Sequence, residues 1–284
     1  MKLEGKVALV TGASPNIMGG IIEALAAEGA KVACLDVEPR VANAAAAALQ
    51  KVGSQALPLV CDVSRPEQVE AAVDVAVREF GGIDILVNGA VIQIRQGLLD
   101  MALEDWRRQL GVILTGTFLV TKQVARVMID QQRQGSIINI TSTEAHQGNV
   151  GNIGYGTCKA GLLNFTRSVA MELSPHAIRV NSLTPTATDP HESIERARRW
   201  GLDDYETPRF RQMAAAFDAL AAKIPLGRLP APSDYGKAAV FLASDDSVMI
   251  TGFDLRVDAG NIAKYWGYDP QQGTSLSLRP EQRA

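Results

Sequence analysis

The chain has 284 residues, of which 46% are hydrophobic and 21% charged; it can bury a large core, and no Pro/Ser/Gly-rich linker divides it into two domains. Its net charge of −3 and pI near 5.7 lack the basic excess typical of nucleic-acid-binding proteins. No apolar run reaches the roughly 18 residues of a membrane span, and no signal-peptide core precedes the first strand-like segment. We therefore predict a cytoplasmic protein that binds neither nucleic acid nor membrane.

Short β-branched segments alternate with longer helical segments along the chain, which predicts a single α/β domain built on a doubly wound parallel sheet with helices on both faces. The seven predicted strands are residues 6–11, 31–36, 55–61, 83–88, 136–141, 179–183 and 252–257. The predicted helices are residues 17–28, 41–52, 66–80, 104–131, 155–173 and 233–243. Segments 186–224 and 261–284 do not fit the alternation, so we expect them to be specialised parts.

The first strand-to-helix turn reads T-G-A-S-P-N-I-M-G-G, with Gly12 directly after the strand. Glycines at such a turn let the backbone approach a dinucleotide pyrophosphate at a helix N-terminus. Asp36 ends the second strand, where a carboxylate accepts hydrogen bonds from the adenosine ribose and repels a 2′-phosphate. No Lys or Arg follows it before Arg40. This pattern favours NAD over NADP, although a solvated Asp at a strand end is the alternative. Asp62, after the third strand, either contacts the adenine or caps a helix.

Tyr155 and Lys159 are four residues apart in a predicted helix, so their side chains share one face. A nearby ammonium lowers the pKa of a phenol and makes it a better base at neutral pH. Ser142 follows the fifth strand and can donate a hydrogen bond to a substrate oxygen. A surface tyrosine beside a solvated lysine is the alternative, because this spacing is common by chance.

With the glycine turn, Asp36, Asp62, Ser142, Tyr155 and Lys159 in this order, residues 3–260 resemble the short-chain dehydrogenase/reductase family. The resemblance implies a Rossmann-type fold, hydride transfer with a nicotinamide cofactor, and a homotetramer or dimer. It implies Tyr155 as general acid/base, Lys159 as the residue that holds the nicotinamide ribose and lowers the tyrosine pKa, and Ser142 as the residue that orients the substrate oxygen. The residues expected to bind the cofactor are Gly12, Ser14, Asn16, Ile17, Met18, Asp36, Asp62, Val63, Asn88, Ala90, Tyr155, Lys159, Pro185, Thr186 and Thr188.

The glycine turn departs from the family pattern, because Asn16 and Met18 stand where glycines are usual. We expect Asn16 to take the left-handed conformation, which Asn tolerates. Met18 places a side chain where the helix packs closely under the cofactor, and Gly19 restores the approach if the register slides by one. The family's N-N-A-G appears here as N-G-A-V at residues 88–91, and its Pro-Gly after the sixth strand appears as Pro-Thr at residues 185–186.

Ile113 is the largest departure, because the family commonly has an asparagine there. In the family that asparagine helps to hold a water linking the active-site lysine to solvent, and isoleucine has no side-chain group that can hydrogen-bond. We therefore expect a rerouted or slower proton relay. Whether Thr115 or Thr117 reaches the site is left open by the sequence.

A polar segment follows Ser142, and such loops face the substrate in this fold, which indicates a polar substrate; a solvated loop is the alternative. Insert 186–224 sits where the family has a mobile substrate lid, and we expect the charges of Arg196, Arg198 and Arg199 to face water while Trp200, Tyr205 or Phe210 covers the substrate. The residues expected near the substrate are Gln93, Arg95, Glu144, His146, Gln147, Asn149, His191 and Trp200.

Cys34, Cys61 and Cys158 lack metal-ligand spacing, so we predict buried free thiols and no metal site. Tail 261–284 carries the aromatic residues Tyr265, Trp266 and Tyr268, and aromatics so close together predict a subunit contact or a neighbouring pocket.

These features together predict an NAD-dependent alcohol dehydrogenase or ketoreductase that acts on a small polar or cyclic molecule. Two alternatives remain open. One is an epimerase or dehydratase of the same fold that uses bound NAD. The other is a noncatalytic nucleotide-binding regulator, for which the altered turn and Ile113 are the only support and against which the intact Ser142, Tyr155 and Lys159 argue.

Overall fold

The computed structural model describes residues 1–203 and 217–264. Within them, seven parallel strands form one sheet in the order β3-β2-β1-β4-β5-β6-β7. The strands are β1 (Val7–Thr11), β2 (Lys31–Asp36), β3 (Ala56–Val60), β4 (Ile85–Asn88), β5 (Ser136–Ile140), β6 (Arg179–Pro185) and β7 (Asp254–Val257). The α-helices are α1 (Ile17–Ala27), α2 (Pro39–Lys51), α3 (Pro66–Phe80), α4 (Leu103–Gln109), α5 (Gly116–Asp130), α6 (Ile153–Leu173), α7 (His191–Arg199) and α8 (Pro232–Ala243).

The sheet is buried on both faces, as expected of parallel strands joined by helices. One core contains Ile21, Ala45 and Tyr235 from α1, α2 and α8. The other contains Val73 and Val124 from α3 and α5. The predicted fold class, a Rossmann-type doubly wound sheet in a single domain, is therefore confirmed.

The predicted helix 104–131 is interrupted, because a π-helical segment, Leu110–Thr115, separates α4 from α5. By length and hydropathy alone, Leu103–Asp130 could cross a membrane, but 44% of its most apolar stretch is buried inside the protein. Val124 and Met128 belong to the core. This burial is typical of a core helix in a globular domain.

The insert 186–224 begins with a helix, α7, that the sequence analysis did not predict. Its charge pattern fits a helix, since Glu192 lies in the first turn and Arg196, Arg198 and Arg199 in the last, as the helix dipole favours. Tyr205 and Phe210 lie outside the described residues, and so do Tyr265, Trp266 and Tyr268 of the tail.

Candidate active site

A groove opens at the carboxyl ends of β1 and β4, where the strand order reverses and ligands bind in folds of this type. Gly12 lies at its base with φ of +75°, and a Cβ atom there would lie 2.9 Å from Ala90 Cα. Only glycine fits this conformation and this close approach without strain. The groove therefore has the cradle that a pyrophosphate needs.

Two cavities of about 350 and 590 Å³ form the groove, and a third of about 790 Å³ adjoins them. Of the predicted cofactor residues, the first cavity is lined by Gly12, Ser14, Asn16, Ile17, Met18, Asp36, Tyr155, Lys159 and Pro185. The second is lined by Gly12, Asp36, Asp62, Val63 and Ala90. Thr186 and Thr188 line the third.

Asp36 lies at the end of β2 and borders both groove cavities. Burial raises the pKa of its carboxyl, while a hydrogen bond from the backbone N–H of Glu38 opposes that shift. Glu38 also lines the first cavity. Arg40 directs its guanidinium to the carbonyl of Gly201, 3.5 Å away. The side chains around this end of the groove carry both signs of charge, because Arg65, Arg107 and Arg108 line the second cavity together with Asp36.

Asp62 does not cap α3, whose N-cap residue is Arg65 and makes no side-chain capping bond. Its Oδ1 accepts hydrogen bonds from the backbone N–H and the hydroxyl of Ser64, at 2.9 and 2.7 Å. The same residue lines the second groove cavity beside Val63. One carboxylate oxygen therefore stabilises the turn before α3.

Asn88 does not line the groove, contrary to prediction. It is buried, and its amide nitrogen donates to Thr121 Oγ1 and Asn139 Oδ1 at 3.0 and 2.9 Å. Gly89 and Ala90 line the groove instead. Their backbone N–H groups donate hydrogen bonds to Thr11 Oγ1 at 3.0 and 3.2 Å. Asn88 thus ties β4 to β5 beneath the site.

One expectation for the glycine turn is wrong. Asn16 has φ of −80°, so it does not take the left-handed conformation. A Cβ atom on Gly19 would lie 2.6 Å from Arg196 Cδ, on the side of α7, and 3.0 Å from the Ser14 carbonyl oxygen within the turn. Met18 is 5% exposed, and a Cβ atom on residue 89 would overlap its thioether. The space that glycine leaves at position 89 is therefore filled by Met18.

The three predicted catalytic residues come together beside the groove. Ser142 is buried directly after β5, and its Oγ accepts a hydrogen bond from the Glu144 N–H at 3.1 Å. Tyr155 and Lys159 lie on the first turns of α6. Lys159 Nζ lies 5.6 Å from the centroid of the tyrosine ring and donates to the Ile140 carbonyl at 2.6 Å. The ammonium is thus anchored to the sheet beneath the phenol.

Burial controls the pKa values of this pair. It raises the pKa of Tyr155; a hydrogen bond with Ser142 and the charge of Arg95 oppose that shift, whereas the charge of Glu144 adds to it. The expected lowering of the tyrosine pKa is therefore wrong for the protein without cofactor. Burial also lowers the pKa of Lys159 to about 8. At neutral pH the phenol is protonated and most of the lysine is charged.

Ile113 lies in the π-helical segment and is fully buried with Cys158 and Leu162. Its backbone carbonyl accepts a hydrogen bond from Thr117 Oγ1 at 2.7 Å. Thr115 is exposed. The Thr117 hydroxyl therefore donates its proton to the Ile113 backbone carbonyl.

The third cavity extends outward from Ser142 and Tyr155. Of the predicted substrate residues, it is lined by Gln93, Arg95, Glu144, Gln147 and Asn149. Lys223, Asn261 and Lys264 also line the cavity, although no local sequence pattern marks them as site residues. Glu144 accepts hydrogen bonds from Asn149 and Asn152 at 2.9 and 2.6 Å, so its carboxylate organises the loop.

Three predicted substrate residues lie elsewhere. His146 does not line the cavity, and its Nε2 lies 3.1 Å from Asp254 Oδ2. His191 is 81% exposed and pairs with Asp189 at 2.6 Å. Trp200 is 6% exposed and belongs to the core beside α1. These side chains pair with other parts of the fold.

The cysteine prediction is confirmed, because Cys34, Cys61 and Cys158 are all free and buried. Burial raises their thiol pKa values to about 12, 11 and 11. In residues 1–203 and 217–264, no group of three His, Cys, Asp or Glu side chains is placed to hold a metal ion.

The sequence and the fold are similar to those of known oxidoreductases. The family model described as enoyl-(acyl carrier protein) reductase matches residues 12–261. The chain belongs to the short-chain dehydrogenase/reductase family.

Its relatives include both polyol dehydrogenases and ketoreductases. D-Threitol dehydrogenase from Mycolicibacterium smegmatis is 35% identical, over 93% of this chain and 95% of the relative. The 3-oxoacyl-[acyl-carrier-protein] reductase FabG from Vibrio cholerae is 36% identical, over 92% and 98%. Among solved structures, NAD+-bound xylitol dehydrogenase is similar with a TM-score of 0.79 and 32% identity, over 90% of this chain and 99% of that one. The chain is thus an oxidoreductase of the short-chain type.

Proposed function

We propose that this enzyme is an NAD-dependent dehydrogenase that interconverts a secondary alcohol and a ketone on a small polyol-like substrate. One observation carries the proposal. Tyr155 borders both the groove that contains Asp36 and the polar cavity that contains Ser142. A proton-transfer group thus lies between the place for a dinucleotide and the place for a hydroxylated molecule.

The groove fits a nicotinamide dinucleotide. Gly12 gives the backbone the close approach that a pyrophosphate needs, and Asp36 offers acceptors for the adenosine ribose hydroxyls. Lys159 and Tyr155 line the end of the first cavity that faces the substrate, where they would hold the nicotinamide ribose. When bound, the nicotinamide supplies the hydride acceptor or donor.

The residues of the site handle the proton. In the reductive direction the protonated Tyr155 donates to the carbonyl oxygen of the substrate, and Ser142 donates a second hydrogen bond to the same oxygen. The Ser142 Oγ accepts from the Glu144 N–H, so the hydroxyl proton, which is hydrogen-bonded to the phenol oxygen of Tyr155, can turn to the substrate oxygen. In the oxidative direction the phenol must first lose its proton, and the neighbouring Lys159 ammonium favours the phenolate.

The two carboxylates at the Asp36 end of the first cavity support NAD over NADP, whereas Arg65, Arg107 and Arg108 line the second cavity. A 2′-phosphate at that end of the first cavity would meet the carboxylates of Asp36 and Glu38, both of which line the groove. The similarity to NAD+-bound xylitol dehydrogenase agrees with this choice. NADP is the alternative cofactor.

The lining of the third cavity supports a polyol. Gln93, Asn149 and Thr143 present amide and hydroxyl groups, and Lys223 adds a donor. Such groups match a chain of hydroxyls, whereas Leu220 and Ile224 line an apolar part of the same cavity. Two relatives, the threitol and xylitol dehydrogenases, carry polyol names.

We also propose that the enzyme works in the cytoplasm as a homotetramer or dimer, as the family resemblance implies. Large apolar side chains remain exposed on the chain, among them Phe118, Met249 and Phe253 at 45%, 92% and 52%. Burial of such groups at a subunit contact is favourable. Sedimentation velocity measures the assembly, and a purely monomeric species would contradict this part.

The test is turnover of the purified protein with NAD or NADP and a panel of polyols, secondary alcohols and 3-ketoacyl thioesters, followed through the absorbance of the reduced cofactor. We expect NADH formation with polyols and much slower reaction with NADP. Isomerised product without net NADH would instead identify an epimerase. Cofactor binding without any turnover would identify a noncatalytic nucleotide-binding protein.

A further inference from the structure

Helix α7 differs from a loosely held substrate lid, because its cationic side chains do not all face water. The side chain of Arg196 is 4% exposed, although the sequence predicts a solvated charge. A buried guanidinium is stable only when its charge and its N–H donors have partners. The partners of Arg196 therefore show what the helix holds.

Arg196 joins three segments. Its Nε donates to Glu23 Oε2 on α1 at 2.9 Å, and a terminal nitrogen lies 3.6 Å from Glu192 on α7 itself. The other terminal nitrogen donates to the Pro15 carbonyl at 3.1 Å. Pro15 lies within the glycine turn. The planar guanidinium thus links the backbone of that turn to the middle of α1, where Glu23 lies.

Ser193 makes a second connection, one turn earlier on the same helix. Ser193 is 1% exposed, and its hydroxyl donates a hydrogen bond to Asn16 Oδ1 at 3.0 Å. Asn16 is the residue before α1 and makes no side-chain capping bond to that helix. Its amide oxygen is held by α7, at a position where the family usually has a glycine.

Gly19 allows α7 to come this close. A Cβ atom on residue 19 would lie 2.6 Å from Arg196 Cδ and 3.1 Å from the Trp200 ring. The Trp200 indole N–H also donates to Glu23 at 3.2 Å. Two features that are unusual for the turn, Asn16 and Gly19, therefore both serve its contact with α7.

We propose that α7 is a fixed brace of the glycine turn, and that Arg196 and Ser193 are positioning residues that set the affinity for the dinucleotide. This turn has fewer glycines than usual, and contacts with α7 hold its N–H groups in the geometry that receives a pyrophosphate. A turn held in its binding geometry loses less entropy when the ligand binds. The inference rests on the proposed function only in that a dinucleotide occupies the groove.

The first test is a fluorescence titration of the purified enzyme with NADH. Arg196→Lys keeps the charge beside Glu23 but loses the fork that reaches Pro15 at the same time, and Ser193→Ala removes only the bond to Asn16. We expect each to raise the Kd for NADH by about tenfold, which corresponds to about 1.4 kcal/mol. We expect kcat at saturating cofactor to change by less than about twofold, since neither residue touches the substrate.

The matched control is Arg199→Met. Arg199 pairs with the same Glu23, at 3.1 Å, but is 61% exposed. We expect its replacement to leave the Kd within about twofold, because exposed ion pairs contribute little. An equal loss in Arg199→Met and Arg196→Lys would mean that Glu23 alone matters, and would overturn the brace.

The second test needs no cofactor. Hydrogen exchange of the peptide covering residues 12–20 should be several-fold faster in Arg196→Lys and Ser193→Ala than in the unmodified protein, with Arg199→Met unchanged. Unchanged exchange together with an unchanged Kd for NADH overturns the inference while the proposed function stands. If the unmodified protein binds neither NADH nor NADPH, the proposed function fails, and the exchange result alone decides whether the brace exists.

Discussion

Replacing Lys159 by Met should stabilise the folded protein at neutral pH while abolishing most of its activity. Lys159 is 3% exposed, and burial lowers the pKa of its amine from 10.5 to about 8. At about 1.36 kcal/mol per pKa unit, burying this charge costs about 3 kcal/mol below pH 8. Met keeps the length of the side chain and removes the charge.

The gain is partly offset, because the Ile140 carbonyl loses its 2.6 Å donor. A carbonyl left without a partner costs about 1 to 2 kcal/mol, so the net gain at pH 7 is about 1 to 2 kcal/mol. That corresponds to a rise of roughly 2 to 8 °C in Tm for a chain of this size.

The pH dependence has a definite sign. The pKa of Lys159 in the folded state lies below its value in the unfolded state, so between pH 8 and 10.5 the unfolded chain binds more protons. The stability of the unmodified protein therefore rises with pH in that window relative to the variant. The advantage of Met should vanish between about pH 9 and 10, and above about pH 10.5 the variant should be less stable by about 1 to 2 kcal/mol, because only the lost hydrogen bond to the Ile140 carbonyl remains.

The assay is thermal or urea unfolding at fixed protein concentration, since assembly shifts apparent stability, at pH values between 7 and 10. Lys122→Met is the matched control, because Lys122 also lies over an aromatic ring, at 5.7 Å from Phe118, but is exposed. We expect little change from it. A Lys159→Met protein that is less stable at pH 7, or whose advantage is the same at every pH, would refute the reasoning.

The other predictions concern the reaction itself. Tyr155→Phe should lower kcat by about 10² to 10⁴, the usual contribution of general acid–base catalysis, with an unchanged Kd for NADH; near-normal turnover would contradict the assigned role. Replacing Asp36 by Ala together with Val37→Arg should weaken NAD and admit NADP, and an unmodified enzyme that already prefers NADP in a binding titration would rule this out. Ile113→Asn should raise the rate if proton release limits turnover, although a buried amide destabilises the fold where it lacks partners. In that case a solvent isotope effect on kcat should be present in the unmodified enzyme and absent in the variant, and no isotope effect in either would show that another step limits.

The sheet was predictable because its signals are local. All five residues of β1 are buried and apolar or β-branched, and α3 ends where Gly81 takes φ of +85°. Each pattern depends on neighbours in sequence. The same holds for the spacing of Tyr155 and Lys159 on one helix, which the structure reproduces.

The errors arise where distant segments decide the outcome. The local sequence predicts a solvated charge at Arg196. In the structure Arg196 is buried in an ion pair with Glu23, which lies far away in the sequence. Asn88 and Thr11 are register partners on neighbouring strands, but which of their polar groups reaches the groove depends on how the loop after β4 turns. The pKa of Tyr155 depends on burial, and the spacing of residues does not reveal burial.

The contact between Met18 and Gly89 favours one order for the substitutions at these two positions during evolution. A larger residue at position 89 would overlap the methionine thioether unless that flexible side chain moved, so a methionine at position 18 is accommodated most easily after position 89 has become glycine. The reverse order passes through an intermediate in which the thioether must be displaced, and overpacking of a filled core typically costs about 1 to 3 kcal/mol. Reconstructed ancestors of this enzyme should therefore have glycine at both positions more often than methionine at position 18 beside asparagine at position 89.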